Sequence, residues 1–584
     1  MHPVEPADGE RVALIGRRLN LSGWRRRLLP PILALTALLL FAVANRGAYK
    51  SYFQADSIDN LSLTQALGAR DFLQPLLVPK VFFNNFRPVG MLFFKLMGHW
   101  FGLWFPPYVA ALQILHIFNA VLLVLLMRRL QLSLLASSVG AVFFAVHMAL
   151  FSVHWEPMYV FDLLCGSLCL LSLIAYVDGH WIVSFILFWL AFRAKENAVL
   201  LPAVLGVYEL LLAGRRWKRL TPFLALSAVL GVQALINNAA RNSDYTLRFD
   251  PASIGQCMTF YSGQILLVPL AGFAILVLPF LVRDRRLWFG LACFAAFVAP
   301  LVLLPGRLAP GYLYVPLIGI AISAGVLAER RPKAIMAALL LIWIPWNFVN
   351  LRRLRNTEMA RGAAAHIYVA SLVKAAQTYP HVNTYLYHDL PMSWYVIPAA
   401  VRLAHHSSED TRALRIDDES ALGVLQSQSL LLLDWQPTPP PGSVVTIAHT
   451  PQTADVSYIK MDRSTPLWQL ERGWNLGDRG PYRWTGPSAV ARLARPSGAK
   501  QFELTVNVAK EFFKYVRGSR LRVLIDGRLI GEHIFDYAAV EVLRWNLDPA
   551  PPGTARVEFQ VPGFRVDPQG ELYGLSVGSF GFLP

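Results

Sequence analysis

The chain has 584 residues, of which 55% are hydrophobic and only 16% charged, with a mean hydropathy of +0.42. An ordinary soluble protein carries about 25% charged residues, so a wholly soluble protein is excluded and a polytopic membrane protein with a soluble tail is expected. The formal net charge of +17 does not point to nucleic acid, because the Lys and Arg stand between apolar runs, where membrane orientation requires them. The four cysteines (Cys165, Cys169, Cys257, Cys293) all fall in or beside apolar runs and lack metal-ligand spacing, which reads as core packing.

Residues 1–27 form a basic N-terminus with Arg17, Arg18 and Arg25 to Arg27. The apolar run that follows is read as a retained first helix and not a cleaved signal, although Ala42-Val43-Ala44 resembles a cleavage site. Runs of about 20 apolar residues, the length of a membrane span, are placed near 28–47, 107–127, 133–152, 158–177, 180–194, 196–213, 221–238, 260–282, 287–304, 311–328 and 333–350. That makes about 11 transmembrane helices in a domain covering 28–352. Basic clusters at Arg17 to Arg27, Arg128-Arg129, Arg215 to Arg219, Arg283 to Arg286 and Arg330 to Lys333 alternate with the other loops, which puts them and the N-terminus in the cytoplasm. The opposite side receives residues 48–106, 153–157, 193–197, 239–259 and 305–310, and an odd number of spans sends the tail there too.

Within the first outer loop, Leu61 to Leu67 and Gly90 to Leu103 read as interfacial helices, and Lys80, Phe82, Phe83, Phe86 and Arg87 suit headgroup depth. In the tail, 357–436 alternates helix and strand as a small α/β module: helices over Ala363 to Gln377, Trp394 to Ala404 and Ser420 to Gln428, strands over Asn383 to Tyr387, Arg412 to Ile416 and Leu430 to Trp435. Residues 437–443 read as a proline-rich linker. From 444 to 584, strand-like runs such as Phe502 to Val506, Arg520 to Ile525, Leu529 to Ile534, Arg556 to Gln560 and Leu575 to Phe580 predict a β-sandwich, carbohydrate-binding-like by fold analogy.

Chemistry gathers on the outer side. Asp56 and Asp59, spaced i, i+3, share a face on a helical turn; a carboxylate there can take a proton or hold a divalent cation, while the bland reading is a solvated loop acid or N-cap. Arg87, before Pro88, can grip a phosphate or simply snorkel at the interface. Glu156 lies in a short outer loop, and Asp162 sits one turn into the membrane, where an ionisable residue is a functional hypothesis. Arg193, Lys195 and Glu196 interrupt an apolar region and must be hydrated, paired or ligand-bound. Arg307 is a further phosphate ligand; Tyr312 and Tyr314 beside it belong to an aromatic belt or line a sugar site. His116 with Asn119 reads first as interhelical glue, and His147 and His154 as hydrogen-bonded helix ends.

The ordered series Phe86-Arg-Pro-Val89, His116-x-x-Asn119, Phe-Ala-Val-His147, Trp155-Glu156, Asp162, Ala-Lys195-Glu196-Asn and Tyr312-Leu-Tyr314-Val-Pro316 resembles the motifs of the GT-C membrane glycosyltransferases. It is similar to bacterial relatives of the transmembrane TPR-containing O-mannosyltransferases and, more distantly, to protein O-mannosyltransferases and the lipid A aminoarabinose transferase. The resemblance implies a multi-pass protein of the bacterial inner (cytoplasmic) membrane whose C-terminal domains are periplasmic or extracellular. It implies transfer of a sugar from a polyprenyl-phosphate donor to a glycan, lipid or protein acceptor. Asp56 would match the family's acid, with Asp59 second. Arg87 and Lys195 would match its basic residues near the donor phosphate, while Arg307 stands in for the arginine often found where this chain has Gly311. His116, Glu156, Asp162, Glu196, Tyr312 and Tyr314 complete the substrate-binding set. Many relatives have two adjacent acids where this chain has Ala55-Asp56, which leaves the metal assignment open, and the tail has no TPR repeats. A transporter or flippase of lipid-linked sugars and a catalytically degenerate glycan-binding scaffold are the other readings.

Overall fold

The computed structural model describes the chain apart from residues 1–34, 37, 80–85, 240–243, 406–410, 417–420, 422–423, 426–428 and 566–571. The basic N-terminus, much of the first expected span, Lys80, Phe82 and Phe83, and most of the helix expected over Ser420 to Gln428 therefore lie outside the described residues. Two compact units emerge, 1–362 and 363–584.

The first unit is helical. Among the described residues, five helical stretches are long and apolar enough to cross a membrane: Pro106–Arg129, Pro157–Val177, Trp217–Asn237, Arg285–Leu303 and Lys333–Thr378. Their outward faces are apolar: Leu341 is 75% and Ile342 69% exposed on the last of them. Such a surface is unfavourable against water and stable only against lipid.

Several other expected spans are shorter or broken, each for a local reason. The run 133–152 yields a 12-residue helix, Leu134–Ala145, followed by the 3-10 turns Met148–Leu150 and Ser152–His154. The run 260–282 is interrupted after helix Pro251–Ile265, where Leu267 and Leu270 adopt left-handed backbone on either side of Pro269. The run 196–213 starts as a 3-10 turn, Glu196–Leu200, before helix Leu201–Leu211, whose Pro202 suits a first turn that needs no amide donor. Continuous hydrophobicity thus hid breaks in the backbone, which form at Pro269 in one case and at polar residues, His147 and Glu196, in the others.

Close packing is visible where Leu317–Arg330 crosses Arg285–Val298. A Cβ at Gly319 would overlap Gly290 O and Phe294 N, and one at Gly290 would lie 2.7 Å from Gly319 O. Ser323, one turn beyond Gly319, is 1% exposed and caps Gly319 O at 3.0 Å. Small residues at this spacing let two backbones touch, which supplies the dispersion energy that replaces the hydrophobic effect in lipid.

The second unit begins inside a helix. Lys333–Thr378 runs unbroken for 46 residues, so the expected separate helices over 333–350 and Ala363 to Gln377 are one element. Its Arg352 and Arg353 are exposed residues within this helix, not the start of a new segment. A four-stranded sheet follows, in the order Arg412–Arg415, Thr384–Tyr387, Leu430–Gln436, Ser443–His449. The first three strands are parallel and the last is antiparallel. The apolar strand Leu430–Gln436 is buried along nearly its whole length, as a strand covered on both faces must be. The expected linker at 437–443 is corrected: Gln436 pairs with Ser443, so the prolines form the turn of a hairpin within this sheet.

The remaining strands build one nine-stranded sheet that folds on itself as a sandwich, in the order Arg528–Ile534, Arg520–Ile525, Gly553–Gln560, Arg483–Arg495, Ser576–Leu583, Gln501–Asn507, Val540–Asn546. Tyr458–Lys460 and Leu470–Trp474 pair with inner strands. Its ends meet: His533 Nε2 lies 2.9 Å from Glu541 Oε2. The core is the inward set Ala489, Ala491, Leu493, Phe502, Leu504, Val557, Phe559, Phe580 and Phe582, each large side chain contributing about 1.5–3 kcal/mol on burial. Asp434, 1% exposed at the end of its strand, is held by Arg463 at 3.1 Å and approached by Arg479 at 3.7 Å, which ties the small sheet to the sandwich.

Replacing Gly319 by leucine is expected to wedge the two helices apart and to cost about 1–3 kcal/mol, the usual penalty of overpacking. Heat unfolding of the detergent-solubilised chain measures it, with Gly255→Ala as a control that should not lower stability, because nothing lies within 4 Å of a Cβ there and alanine favours the helix.

Candidate active site

Helix Ala55–Ala66 starts after Gln54, whose backbone is extended, and carries Asp56 in its first turn, where the helix dipole favours a carboxylate. The helix begins six residues earlier than the expected start at Leu61, so Asp56 and Asp59 do stand on one helical face. Two contacts fix it. Ser57 Oγ accepts the Met158 amide at 3.1 Å, which docks this turn beside the Glu156 loop. Gly98 of helix Pro88–Phe101 lets Leu61 and Gln65 approach its backbone.

Arg87 precedes that helix at its cap, with Pro88 as the first helical residue, and Gly90 makes room for the Phe161 ring. The Arg87 guanidinium lies 5.2 Å from that ring and grips Glu196 with two nitrogens, Nε at 3.0 and 3.1 Å and Nη2 at 2.9 Å from its carboxylate oxygens. Beside it, Lys195 Nζ donates to both oxygens of Asp162, at 2.6 and 2.7 Å, with side chains only 9% and 3% exposed. The same ammonium sits 4.6 Å from the Tyr312 ring. Arg307 stacks 4.2 Å over Tyr245; among the described residues it has no ion-pair partner, and its buried Nε has no hydrogen-bond acceptor.

These groups act on one another. The charges of Asp162, Arg307, Arg87 and Asp56 all reach Tyr312, and those of Arg307, Arg87 and Asp56 reach Tyr245. Asp56 also reaches Glu156. Residues from six separate stretches of sequence therefore act on one another in one electrostatic cluster. Sequence reasoning missed Tyr245, a lone tyrosine in a polar outer loop. It arrives because that loop packs on the 303–306 segment, with the Arg248 amide bonded to Leu303 O at 2.8 Å.

The remaining expected site residues are placed differently. Tyr314 and His116 are fully buried and joined to each other, Tyr314 Oη to His116 Nδ1 at 3.0 Å. Asn119 Nδ2 donates to the same hydroxyl at 2.9 Å, and Ser167 closes the network on Asn119 Oδ1 at 2.6 Å. His154 bonds Asn45 Oδ1 at 3.0 Å and His147 the Ile265 carbonyl at 2.9 Å, the roles expected for helix-end histidines. Arg193 bonds the Val78 carbonyl and stacks 4.3 Å over Trp189. Among the described residues, no group of three or more His, Cys, Asp or Glu is arranged to hold a metal ion.

Burial pushes the Glu156 carboxyl up to about 8, helped by Glu358 and Asp56 and opposed by Arg361. It is therefore a neutral acid at pH 7 beside an acid proposed to work as a base.

Two outcomes are expected. Asp162→Asn strands the buried Lys195 ammonium and is expected to cost about 3–5 kcal/mol, whereas Asp162→Leu combined with Lys195→Met costs much less; denaturation of the purified chain compares them. Because Glu156 keeps its proton in the folded chain to about pH 8 but loses it near 4.5 when unfolded, the folded state binds the extra proton across that window. Stability should fall as pH rises from 4.5 to 8 and then level off. Glu156→Gln should flatten that slope in melting curves recorded across the same range.

No protein-family model matches the chain, and no curated protein matches it. Among solved structures it is similar to the crystal structure of ArnT from Cupriavidus metallidurans in the apo state (13% identity, TM-score 0.45, over 73% of this chain and 98% of that one). It is also similar to the same protein bound to undecaprenyl phosphate (14% identity, TM-score 0.41, over 71% of this chain and 94% of that one). A third is a cryo-EM structure of the arabinofuranosyltransferase AftD from Mycobacteria (12% identity, TM-score 0.39, over 94% of this chain and 61% of that one).

Proposed function

We propose that the chain is an integral membrane glycosyltransferase of the GT-C kind. It moves a sugar from a polyprenyl-phosphate donor to an acceptor hydroxyl on the extracytoplasmic face of the bacterial inner membrane. The observation that carries this reading is that Lys195 lies on the Tyr312 ring and Arg307 on the Tyr245 ring, with the charges of Arg87 and of one helix-borne acid, Asp56, acting on both tyrosines.

The division of labour follows from how each charge is satisfied. Arg307, stacked but without an ion partner among the described residues, has its charge available for the donor phosphate. Arg87 and Lys195 are already neutralised by Glu196 and Asp162, so they hold the frame and contribute a directed field. Asp56 accepts the proton of the acceptor hydroxyl as that oxygen bonds to the sugar's anomeric carbon. The bond from that carbon to the phosphate oxygen breaks, and its electron pair leaves on the phosphate, beside Arg307. Tyr312, on the Lys195 ammonium, lines the sugar, with Asp59 next to Asp56 as the second acid. Tyr314 and His116 serve by bracing the helices behind it. A divalent cation is not required by this scheme, since Lys195 already occupies both oxygens of Asp162.

Asp56→Asn is expected to lower transfer about 10²–10⁴-fold, the usual worth of a positioned general base, while the protein still inserts in the membrane. Arg307→Ala is expected to lower it about 10²–10³-fold, with partial recovery in Arg307→Lys. Mass spectrometry of surface glycans and glycoproteins from cells carrying each variant reads both. Unchanged products in Asp56→Asn cells would sink the assignment of the base, and lipid-linked sugar crossing the bilayer without transfer would indicate a transporter instead.

A further inference from the structure

A cleft of about 610 Å³ opens beside Glu156, within the first unit. It is bounded by the turns around Met148–Leu150 and Ser152–His154, by helix Pro251–Ile265 with the broken segment after it, and by the 350–358 stretch of helix Lys333–Thr378. That volume is in the range of small-molecule sites, roughly 300–1,000 Å³. Its lining divides into an apolar part, with Phe151, Phe260 and Leu267, and a polar part, with Glu156, Glu358 and Gln264.

The cleft is lined by carboxyl groups and lacks the cations of the proposed donor side. Among the described residues, no Lys, Arg or His lines it. Arg361 pairs with Glu358 at 2.9 Å, but its side chain is 65% exposed and stands outside the lining. A phosphate brought into this space would face carboxyl groups and lose water with no cation to replace it, which is strongly unfavourable. The donor phosphate is therefore steered to Arg307, and the cleft is left for a different group.

We propose that this cleft is the acceptor subsite, and that it takes an amphipathic glycoside: a hydroxyl-bearing sugar ring joined to an apolar body, with no phosphate on the part that enters. The assignment rests on the transferase reading above. The protonated Glu156 carboxyl donates a hydrogen bond to a ring hydroxyl, and Glu358 and Gln264 take the others. Phe151 and Phe260 cover the apolar face of the ring, as aromatic side chains can do while leaving hydroxyls free to bond. Ser57, next to Asp56 on the same helical turn, accepts the Met158 amide two residues after Glu156, so a hydroxyl anchored at this end lies on the side of the proposed base.

The test uses the full chain in lipid nanodiscs, titrated calorimetrically with n-hexyl β-D-glucoside, with its 6-phosphate, and with free glucose. The hexyl glucoside is expected to bind saturably and at least tenfold more tightly than either of the others. Gly263 lines the cleft, and a Cβ there meets only ordinary contacts, the nearest being Pro269 Cα at 3.6 Å. Gly263→Phe is thus expected to fill the cleft and weaken binding at least tenfold, while Gly263→Ala binds as the parent does. Glu358→Gln, which leaves the cleft's shape intact, should narrow the gap between the hexyl glucoside and its 6-phosphate.

Absence of saturable binding, a 6-phosphate that binds as tightly as the hexyl glucoside, glucose binding as tightly, or indifference to both Gly263→Phe and Glu358→Gln would each overturn the proposal. The Asp56→Asn variant separates this assignment from the transferase reading. If that variant keeps full transfer while the binding pattern holds, the base assignment falls and the cleft stands. If it loses transfer while the pattern fails, only the acceptor assignment falls.

Discussion

A lysine ammonium and an aspartate carboxylate, both nearly withdrawn from water and 2.6 Å apart, set the terms for the rest of the helical unit. Neither Lys195 nor Asp162 can be buried alone, since an unpaired charge at this depth costs several kcal/mol or shifts to neutrality. The pair therefore holds helix Val160–Val177 against the turn at Glu196–Leu200. Arg87 with Glu196, the next residue along, repeats the device and draws helix Pro88–Phe101 to the same place. Two adjacent ion pairs thus join three stretches that are far apart in the chain. The position of Asp56 follows from them, because helix Ala55–Ala66 packs on Pro88–Phe101 and its Ser57 is hydrogen-bonded to Met158.

The consequence is a site sorted by charge. On one side Arg307, without an ion partner among the described residues, stacks on Tyr245 while the paired Lys195 lies on Tyr312; on the other, Glu156 and Glu358 share a cleft that no basic side chain lines among the described residues. An enzyme that must hold an anionic leaving group and a hydroxyl nucleophile at once gains from such separation. In the proposed scheme Asp56 serves both sides, since its charge acts on Glu156 and on Tyr312. The raised proton affinity of Glu156 belongs to the same arrangement: burial and two neighbouring carboxyls leave it neutral, and so able to donate.

The sequence carried some of this openly. Ion-forming residues inside apolar runs announce themselves, so Arg87, Asp162, Lys195 and Glu196 stood out from position alone as residues that must be hydrated, paired or ligand-bound. Their pairing was not, because Arg87 and Glu196 lie 109 residues apart and Lys195 and Asp162 33 apart, and nothing local links them. Sequence therefore treated Arg87, Lys195 and Arg307 as equals, whereas the fold consumes two of the three and leaves Arg307. Tyr314 and His116 read as substrate ligands from a motif, yet the structure joins them to one another and to Asn119 in the helix interior. Tyr245 went unnoticed for the converse reason, as an ordinary loop residue carried to the site by packing.

By itself the sequence determined the membrane character, the order of apolar and polar segments, and the change from helix to strand in the tail. These depend on composition and on periods of two and about 3.6 residues, which need no knowledge of neighbours. Strand Arg520–Ile525 and the apolar strand from Leu430 were legible in this way. Only the tertiary structure decided where the backbone breaks at Leu267 and Leu270, that the prolines after Gln436 turn a hairpin, and that Lys333–Thr378 is one helix. It alone also decided which charges are spent on each other. Those outcomes depend on partners distant in the chain, whose hydrogen bonds, ion pairs and close glycine contacts exist only once the segments have met.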